Sequence, residues 1–297
     1  MRWNPILIKE LKIRSRVVRI PILLMFYNAI VALIAVFMFL ASMDIFNGSN
    51  YIDYSGMTSL FAGLGIFQCG VVFMLTLVVS ANSISSEREK GTLDLMLVTP
   101  TSSATVIRGK LYSTIASGGL LLFSSMPVMA ISTIYGGVET DDILYLVGTL
   151  LFTMIYATST GILCSSFSFR SSIAVVTSLI VEAALVIGPF ILLSGISRIM
   201  YSVAQENMNT IVSLGGWVFV LVINPVMPVM GFYDKLLGSS MIMDYFYYLC
   251  GIEEDTAFAY FLQKHFMQCC VGTQIILSIV FLWISVKKLG AQKKRKL

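Results

Sequence analysis

Long stretches without charged side chains are the feature that most constrains this chain. A helix needs about 20 apolar residues to cross the hydrocarbon core of a bilayer. Seven runs reach that length, and the only charge among them is Glu182: Ile20–Met43, Tyr54–Ser86, Leu111–Val138, Ile143–Phe169, Ser171–Ser197, Asn207–Tyr233 and Phe266–Val286. Only 12% of the residues are charged, about half of the roughly 25% found in soluble domains. The sequence therefore predicts an all-α integral membrane protein and excludes disordered, fibrous and disulfide-scaffold classes.

The distribution of charge predicts how these runs cross the membrane. Basic residues concentrate in segments 1–19 and 287–297, and an excess of Lys and Arg marks the cytoplasmic side. With both termini cytoplasmic, the number of spans is even. Asn207–Tyr233 is the run expected to fail, because Gly215–Gly216 and Asn224–Pro225 interrupt it. We expect a re-entrant or surface-lying helix that stops near Asn224, since irregular backbone survives at membrane depth only inside protein or beside a cavity.

Six spans also sort the charges cleanly. Segments 1–19, 83–110, 167–171 and 287–297 then hold 17 of the 20 basic residues and four of the 16 acidic ones. An eight-span arrangement, with Leu236–Ile252 as a further span, is the alternative, but Asp244 lies in the middle of that stretch. We expect a single transmembrane domain over residues 1–297 in the plasma membrane.

Two segments flank the spans. Segment 1–19 is predicted to be an amphipathic helix in the inner interface, with Asn4 as its N-cap and Pro5 in its first turn. A solvated basic leader is the alternative. Segment 197–265 forms the predicted outer or re-entrant region, and its many aromatic residues are explained by anchoring at the membrane interface.

The sequence lacks the patterns of a catalytic chain. His265 is the only histidine, and no metal-ligand spacing is present. Gly109–Lys110 is followed by Leu111, without a glycine five residues before Gly109, so the nucleotide-binding phosphate loop is absent. We therefore expect no enzymatic activity and no bound metal or cofactor in this chain. Nucleic acid is not an expected partner, whereas membrane lipids are.

The most informative stretch is Ala81–Leu111, between the second and third spans. A charge cluster, Glu87–Lys90, is followed by Gly91, which permits a sharp bend. Thr92 is suited to cap a short helix that begins at Leu93 and ends before Pro100, and Thr101–Ser103 are suited to cap the next helix. Exposed apolar residues rimmed by charge are typical of a protein-binding site. The expected exposed residues are Leu93, Leu95, Met96, Leu97 and Val98. The alternative is a helix half sunk among lipid headgroups.

These residues resemble the signature of the permeases of the ABC-2 type exporter family. The family pattern Glu-x-Glu-x-Gly-Thr-Leu-Glu, a leucine-rich run, Thr-Pro and Gly-Lys is matched here by Glu87–Asp94, Leu95–Pro100 and Gly109–Lys110. Aspartate at 94 stands where glutamate is usual and keeps the charge. Asn4-Pro5 and Lys9-Glu10-Leu11 also resemble the start of such permeases.

The resemblance implies a membrane-spanning subunit that forms the translocation path of an exporter. Segment 83–110 would carry a coupling helix that docks on separate ATP-binding cassette subunits, which would bind ATP and Mg²⁺. A second permease copy or a paralogue would complete the transporter. The coupling residues implied are Glu87, Arg88, Glu89, Gly91, Thr92, Leu93, Asp94, Leu95, Leu97 and Pro100. The substrate stays open among lipid-like molecules, peptides, antibiotics and ions.

Glu182 stands about ten residues into the fifth predicted span. An ionisable group at that depth is costly unless it is paired or hydrated. Either a neutral carboxyl bonded to a neighbouring hydroxyl or a role in the transport path or a subunit interface would explain it. Two other functions remain as alternatives: a non-transporting membrane anchor or sensor that recruits a cytosolic partner, and an ion-coupled carrier centred on Glu182.

Overall fold

The computed structural model describes residues 19–42, 54–98, 101–136, 138–206, 215–240, 244 and 257–296. Within these residues every regular element is helical. They are α1 (Arg19–Ser42), α2 (Tyr54–Glu89), α3 (Thr92–Val98), α4 (Ser103–Gly136), α5 (Thr140–Phe167), α6 (Ser171–Glu206), a 3₁₀ helix (Gly215–Ile223), α7 (Met227–Leu237) and α8 (Ala257–Lys296). The all-helical prediction is confirmed over this part of the chain, and the predicted interfacial helix over residues 1–18 lies outside it.

Five described helices are long and apolar enough to cross a membrane: Phe61–Glu89, Ser103–Ala130, Asp141–Phe167, Ser171–Met200 and Lys264–Lys294. They correspond to five of the predicted spans. Helix α1 contributes a shorter apolar stretch, Leu24–Phe37. The chain is thus a multi-pass membrane protein, and the count of six spans stays a prediction.

The described chain divides into two compact units. The first contains residues up to Ser178 together with Ser278 onward, and the second contains Leu179–Leu277. We call them unit 1 and unit 2. The two units differ in the hydrogen bonds that pair their buried backbone and side-chain polar groups.

Unit 1 is organised by a close crossing of α2 and α5 at Gly161. A side chain added at Gly161 would meet the backbone of α2, with Leu77 O 2.7 Å and Ala81 N 2.9 Å from the new Cβ, and would overlap the hydroxyl of Ser80. Ser165, one turn further on, accepts hydrogen bonds from the backbone amides of Ile84 (3.0 Å) and Ser85 (2.9 Å). Small residues let transmembrane helices approach closely where apolar burial gives no advantage over lipid.

A polar contact joins α1 to the same unit. The Gln68 side-chain amide donates to Ser125 Oγ at 2.6 Å, and Tyr27 Oη lies 3.5 Å from the same oxygen. All three side chains are buried. This contact holds α1, α2 and α4 together through hydrogen bonds, which serve as a packing force between helices in lipid.

Unit 2 contains the break that the sequence predicts at Asn224. The 3₁₀ helix ends at Ile223, and α7 begins at Met227 after the turn at Asn224–Pro225. The structure differs from the expectation in two respects: the segment before the break is a 3₁₀ helix, and a second helix, α7, follows it. Gly231 of α7 lies against Met267 of α8, where an added side chain would overlap the Met267 thioether.

Candidate functional site

The hinge at Gly91 sets the direction of α3. Gly91 has a φ of 70°, a left-handed conformation that side chains with a Cβ rarely adopt. Its backbone amide donates to Arg88 O at 3.1 Å, which closes the turn at the end of α2. The Thr92 hydroxyl donates to Glu87 O at 3.2 Å. The bend predicted at Gly91 is confirmed, and the Thr92 hydroxyl bonds back to α2.

Helix α4 starts as the sequence predicts. Ser102 precedes its first residue and accepts a hydrogen bond from the Thr105 amide at 3.2 Å through its side-chain oxygen. This is the geometry of an N-cap. The two short connections thus hold α3 between the end of α2 and the start of α4.

Glu87, the first acid of the motif, forms an ion pair with a buried lysine. Its Oε1 lies 3.2 Å from the Nζ of Lys110, and that ammonium group also donates to Ser83 O at 2.6 Å. Lys110 is almost completely buried. A buried ammonium group is tolerated when it is paired and hydrogen-bonded. The pair therefore links α2 to α4 on either side of α3.

Arg88 extends in another direction. Its guanidinium donates to the backbone carbonyls of Ser168 and Ser166, the latter at 3.0 Å, and to Gln292 Oε1 at 3.1 Å. It also lies 5.5 Å from the ring centroid of Phe169. The planar guanidinium carries five donors, and here it joins the end of α2 to the α5–α6 connection and to the C-terminal end of α8.

Glu89 binds the start of α6. Its carboxylate accepts hydrogen bonds from the Ser171 amide at 3.1 Å and from the Ser171 hydroxyl. Negative charge at a helix N-terminus is favourable because the first amides point towards it. Glu87, Arg88 and Glu89 are therefore all bonded within unit 1. Their side chains hold the end of α2 that leads into α3, which we call the base of α3.

Two leucines of α3 have opposite environments. Leu93 is 2% exposed and packs with Ile84, Val106 and Leu289, so the expectation that it is exposed is wrong. Leu95 is 74% exposed, and Val98 is 63% exposed. Asp94 is also exposed and Met96 is partly buried. The Leu97 side chain and Pro100 lie outside the described residues.

Glu182 belongs to unit 2 and lies in α6. It is buried. Nearby in the sequence, Val186 O accepts a hydrogen bond from Asn224 Nδ2 at 2.9 Å. Asn224 Oδ1 accepts from the Val226 amide at 2.9 Å, and Asn224 O accepts from Gln274 Nε2 at 2.8 Å. Asn224 thus joins α6, the chain break and α8.

A cavity of about 220 Å³ lies in unit 1. It is bordered by α2, α4 and α5, and its lining includes Phe61, Leu122, Met126 and Leu150. Among the described residues that line it, Gln68 is the one with a polar side chain. Such a lining suits an apolar group better than an ion, whose charge would lose its hydration there.

Several organising residues are absent from the residues that the sequence predicts as a site. They are Lys110, Ser171, Gln292, Lys293, Asn224 and Gln274. Lys110 stands in the Gly-Lys pair of the motif, and Asn224 in the Asn-Pro break, so both had a local signal. Gln292 and Lys293 are ordinary tail residues by sequence, and only the fold brings them to α3.

No group of three or more His, Cys, Asp or Glu side chains in the described residues is placed to hold a metal ion. The arrangement instead defines an all-helical, multi-pass membrane protein with a short helix held between two of its long helices.

The sequence model of the ABC-2 family transporter protein matches residues 5–286. The chain belongs to this family and is a membrane permease. Comparison with curated proteins finds no match. Membership implies association with ATP-binding cassette partners.

Proposed function

We propose that this chain is the permease subunit of an ATP-driven exporter and that α3 is its coupling helix. In this proposal separate ATP-binding subunits bind ATP and Mg²⁺, dock on α3 and drive the transport cycle. The chain itself catalyses no reaction. A second permease, identical or related, completes the path.

The main support for this proposal is that one face of α3 is buried and the other is exposed. Leu93 is packed into unit 1, whereas Leu95 and Val98 project away from it. Lys90 and Asp94, close to these residues in the sequence, are exposed charges. A buried apolar anchor at the centre of an interface contributes most of its binding energy, while charges at the rim mainly steer association.

The internal bonds of the motif charges support the same role. A coupling helix can transmit a movement of its partner only if the residues at its N-terminal end are held against the membrane-spanning helices that must move. Glu87, Arg88 and Glu89 fix the base of α3 to α4, to the α5–α6 connection and to α6. In this proposal Glu87 and Glu89 are therefore positioning residues for α3.

The proposed topology has six spans with both termini in the cytoplasm of the plasma membrane, within one transmembrane domain. Helix α1 supplies the sixth span, because its 24 residues reach about 36 Å at 1.5 Å per residue. The 3₁₀ helix and α7 form the re-entrant element. The hydrogen bonds of Asn224 support that element, since irregular backbone within a bilayer must be satisfied by protein.

The test compares Leu95→Ala with Leu93→Ala. The tagged full-length chain is purified in mild detergent with the ATP-binding subunit that accompanies it, and the yield of that subunit and the ATP hydrolysis rate are measured. Leu95→Ala should weaken subunit binding by about tenfold or more, the usual cost of truncating an interface anchor, with no change in thermal stability.

Leu93→Ala is the matched control. It truncates the same residue type two positions away, and it should destabilise the permease by about 2–5 kcal/mol because Leu93 is a core residue. Wild-type ATPase recovery and coupling with Leu95→Ala and with Leu95→Asp would refute the assignment of α3.

A further inference from the structure

The C-terminal end of α8 contacts the base of α3 through residues that no motif points to. We infer that this end, residues 286–294, is a positioning element that sets where α3 lies. The consequence for transport rests on the proposed function, whereas the positioning itself rests on contacts within unit 1.

The first contact is at the C-terminal side of α3. Lys293 Nζ donates to the backbone carbonyl of Thr101 at 2.8 Å. Thr101 lies in the short connection between α3 and α4. Hydrogen bonds with a charged donor are stronger than neutral ones, so this bond restrains the connection against α8.

The second contact is at the N-terminal side of α3. Gln292, next to Lys293, accepts from Arg88 at 3.1 Å. Arg88 is the residue whose carbonyl closes the turn at Gly91. One turn of α8 therefore binds both connections of α3, through adjacent side chains.

The third contact is apolar and lies between the other two. Leu289 is fully buried in the cluster that contains Leu93, the inward-facing leucine of α3. Val286 and Leu282 of α8 pack against the same cluster. The α8 end thus meets α3 before, within and after the helix, and α3 cannot shift against α8 without breaking these contacts.

This arrangement gives the last helix a direct connection to the coupling helix. In this inference a displacement of α3 is transmitted to α8 by the Lys293–Thr101 and Arg88–Gln292 hydrogen bonds and by the apolar cluster that contains Leu93 and Leu289, in addition to the covalent connections to α2 and α4. Gln292 and Lys293 are accordingly positioning residues, and they do not need to touch a partner subunit.

Adjacent lysines provide a matched test. Lys293 is partly buried and bonded to Thr101, whereas Lys294 is exposed. Lys293→Ala and Lys294→Ala remove the same charge and the same side chain from the same turn. Hydrogen exchange is measured on the full-length chain in lipid nanodiscs without any partner, which makes the readout independent of the proposed function.

Lys293→Ala should speed the exchange of amides in α3 and in Thr105–Val106 about ten- to a hundredfold, the change expected when one hydrogen bond with a charged donor is lost. Lys294→Ala should leave them unchanged, and Lys293→Arg should restore wild-type exchange. Gln292→Leu should speed exchange at Arg88–Leu93. Thermal unfolding should be alike for Lys293→Ala and Lys294→Ala, which separates positioning from overall stability.

Equal exchange in Lys293→Ala and Lys294→Ala would overturn the inference, as would an effect confined to the last turn of α8. The proposed function is tested separately by Leu95→Ala. If α3 loosens in Lys293→Ala but no ATP-binding subunit responds to Leu95→Ala, the positioning element stands and the coupling role falls.

Discussion

The two units satisfy their buried polar groups in different ways. In unit 1 long helices cross closely. The absence of a side chain at Gly161 permits the approach, and the small side chain of Ser165 bonds to the backbone of the facing helix. In unit 2 an interrupted segment is held by the amide side chains of Asn224 and Gln274. The first arrangement gives continuous helices, and the second gives a chain break inside protein.

Burial within each unit's helices follows the same division. The apolar window of α5 is 61% buried, whereas that of α6, most of which belongs to unit 2, is 17% buried. Most of the apolar surface of helix α5 is therefore buried against neighbouring helices of its own unit. Helix α6 leaves most of its apolar surface for lipid or for another chain. The difference shows that α5 is covered by neighbouring helices of unit 1, whereas the break in unit 2 is spanned by the hydrogen bonds of Asn224 and Gln274.

The largest effect on unit 1 is expected from replacing Gly161 with a larger residue. Gly161→Leu should prevent the close crossing of α2 and α5, because the new side chain meets backbone atoms that cannot move aside. Overpacking typically costs about 1–3 kcal/mol and more where backbone must shift, so we expect loss of the folded protein by size-exclusion chromatography and thermal unfolding.

Gly148→Leu is the control for this change. Gly148 also lies in α5, but nothing stands within 4 Å of a Cβ added there. It should fold like the wild type. Equal tolerance of both substitutions would mean that the α2–α5 crossing does not hold unit 1 together.

Several features within the two units could be predicted from the sequence. The spans follow from runs without charge, the break from Asn224–Pro225, and the bend from Gly91. Sequence could not distinguish Leu93 from Leu95, because both are leucines in a short apolar run and only the packing of Ile84, Val106 and Leu289 decides which one is buried. Sequence also could not show that Glu87 and Glu89 are bonded within unit 1, because Lys110 and Ser171 come near them only in the folded chain.

The next prediction places a charge in unit 2. Glu182 is buried in α6, and a fixed cation there would lose hydration without the partners of a carboxyl group. Glu182→Lys should therefore disrupt folding or assembly, because it lowers the free energy of unfolding by several kcal/mol. Glu182→Gln should largely preserve folding, because a neutral amide resembles a protonated acid. Limited proteolysis that reports on residues 179–277 would show whether the damage is confined to unit 2. Normal expression and assembly of Glu182→Lys would place Glu182 outside any buried environment.

The smallest effect should come from the amides that hold the chain break. Asn224→Ala removes two side-chain hydrogen bonds, to Val186 O and from the Val226 amide, whereas Gln274→Leu removes the one to Asn224 O. Each lost hydrogen bond contributes about 0.5–1.5 kcal/mol, so Asn224→Ala should lower the free energy of unfolding more than Gln274→Leu. Both should speed hydrogen exchange at residues 215–237 and leave α2 and α5 unchanged. Gln268→Leu is the matched control, because Gln268 is an exposed amide of α8 whose Oε1 lies 3.1 Å from His265 Nδ1, one turn away. If Gln274→Leu and Gln268→Leu gave the same exchange at residues 215–237, the amides would not hold the break, and the contrast between the two units would rest on packing alone.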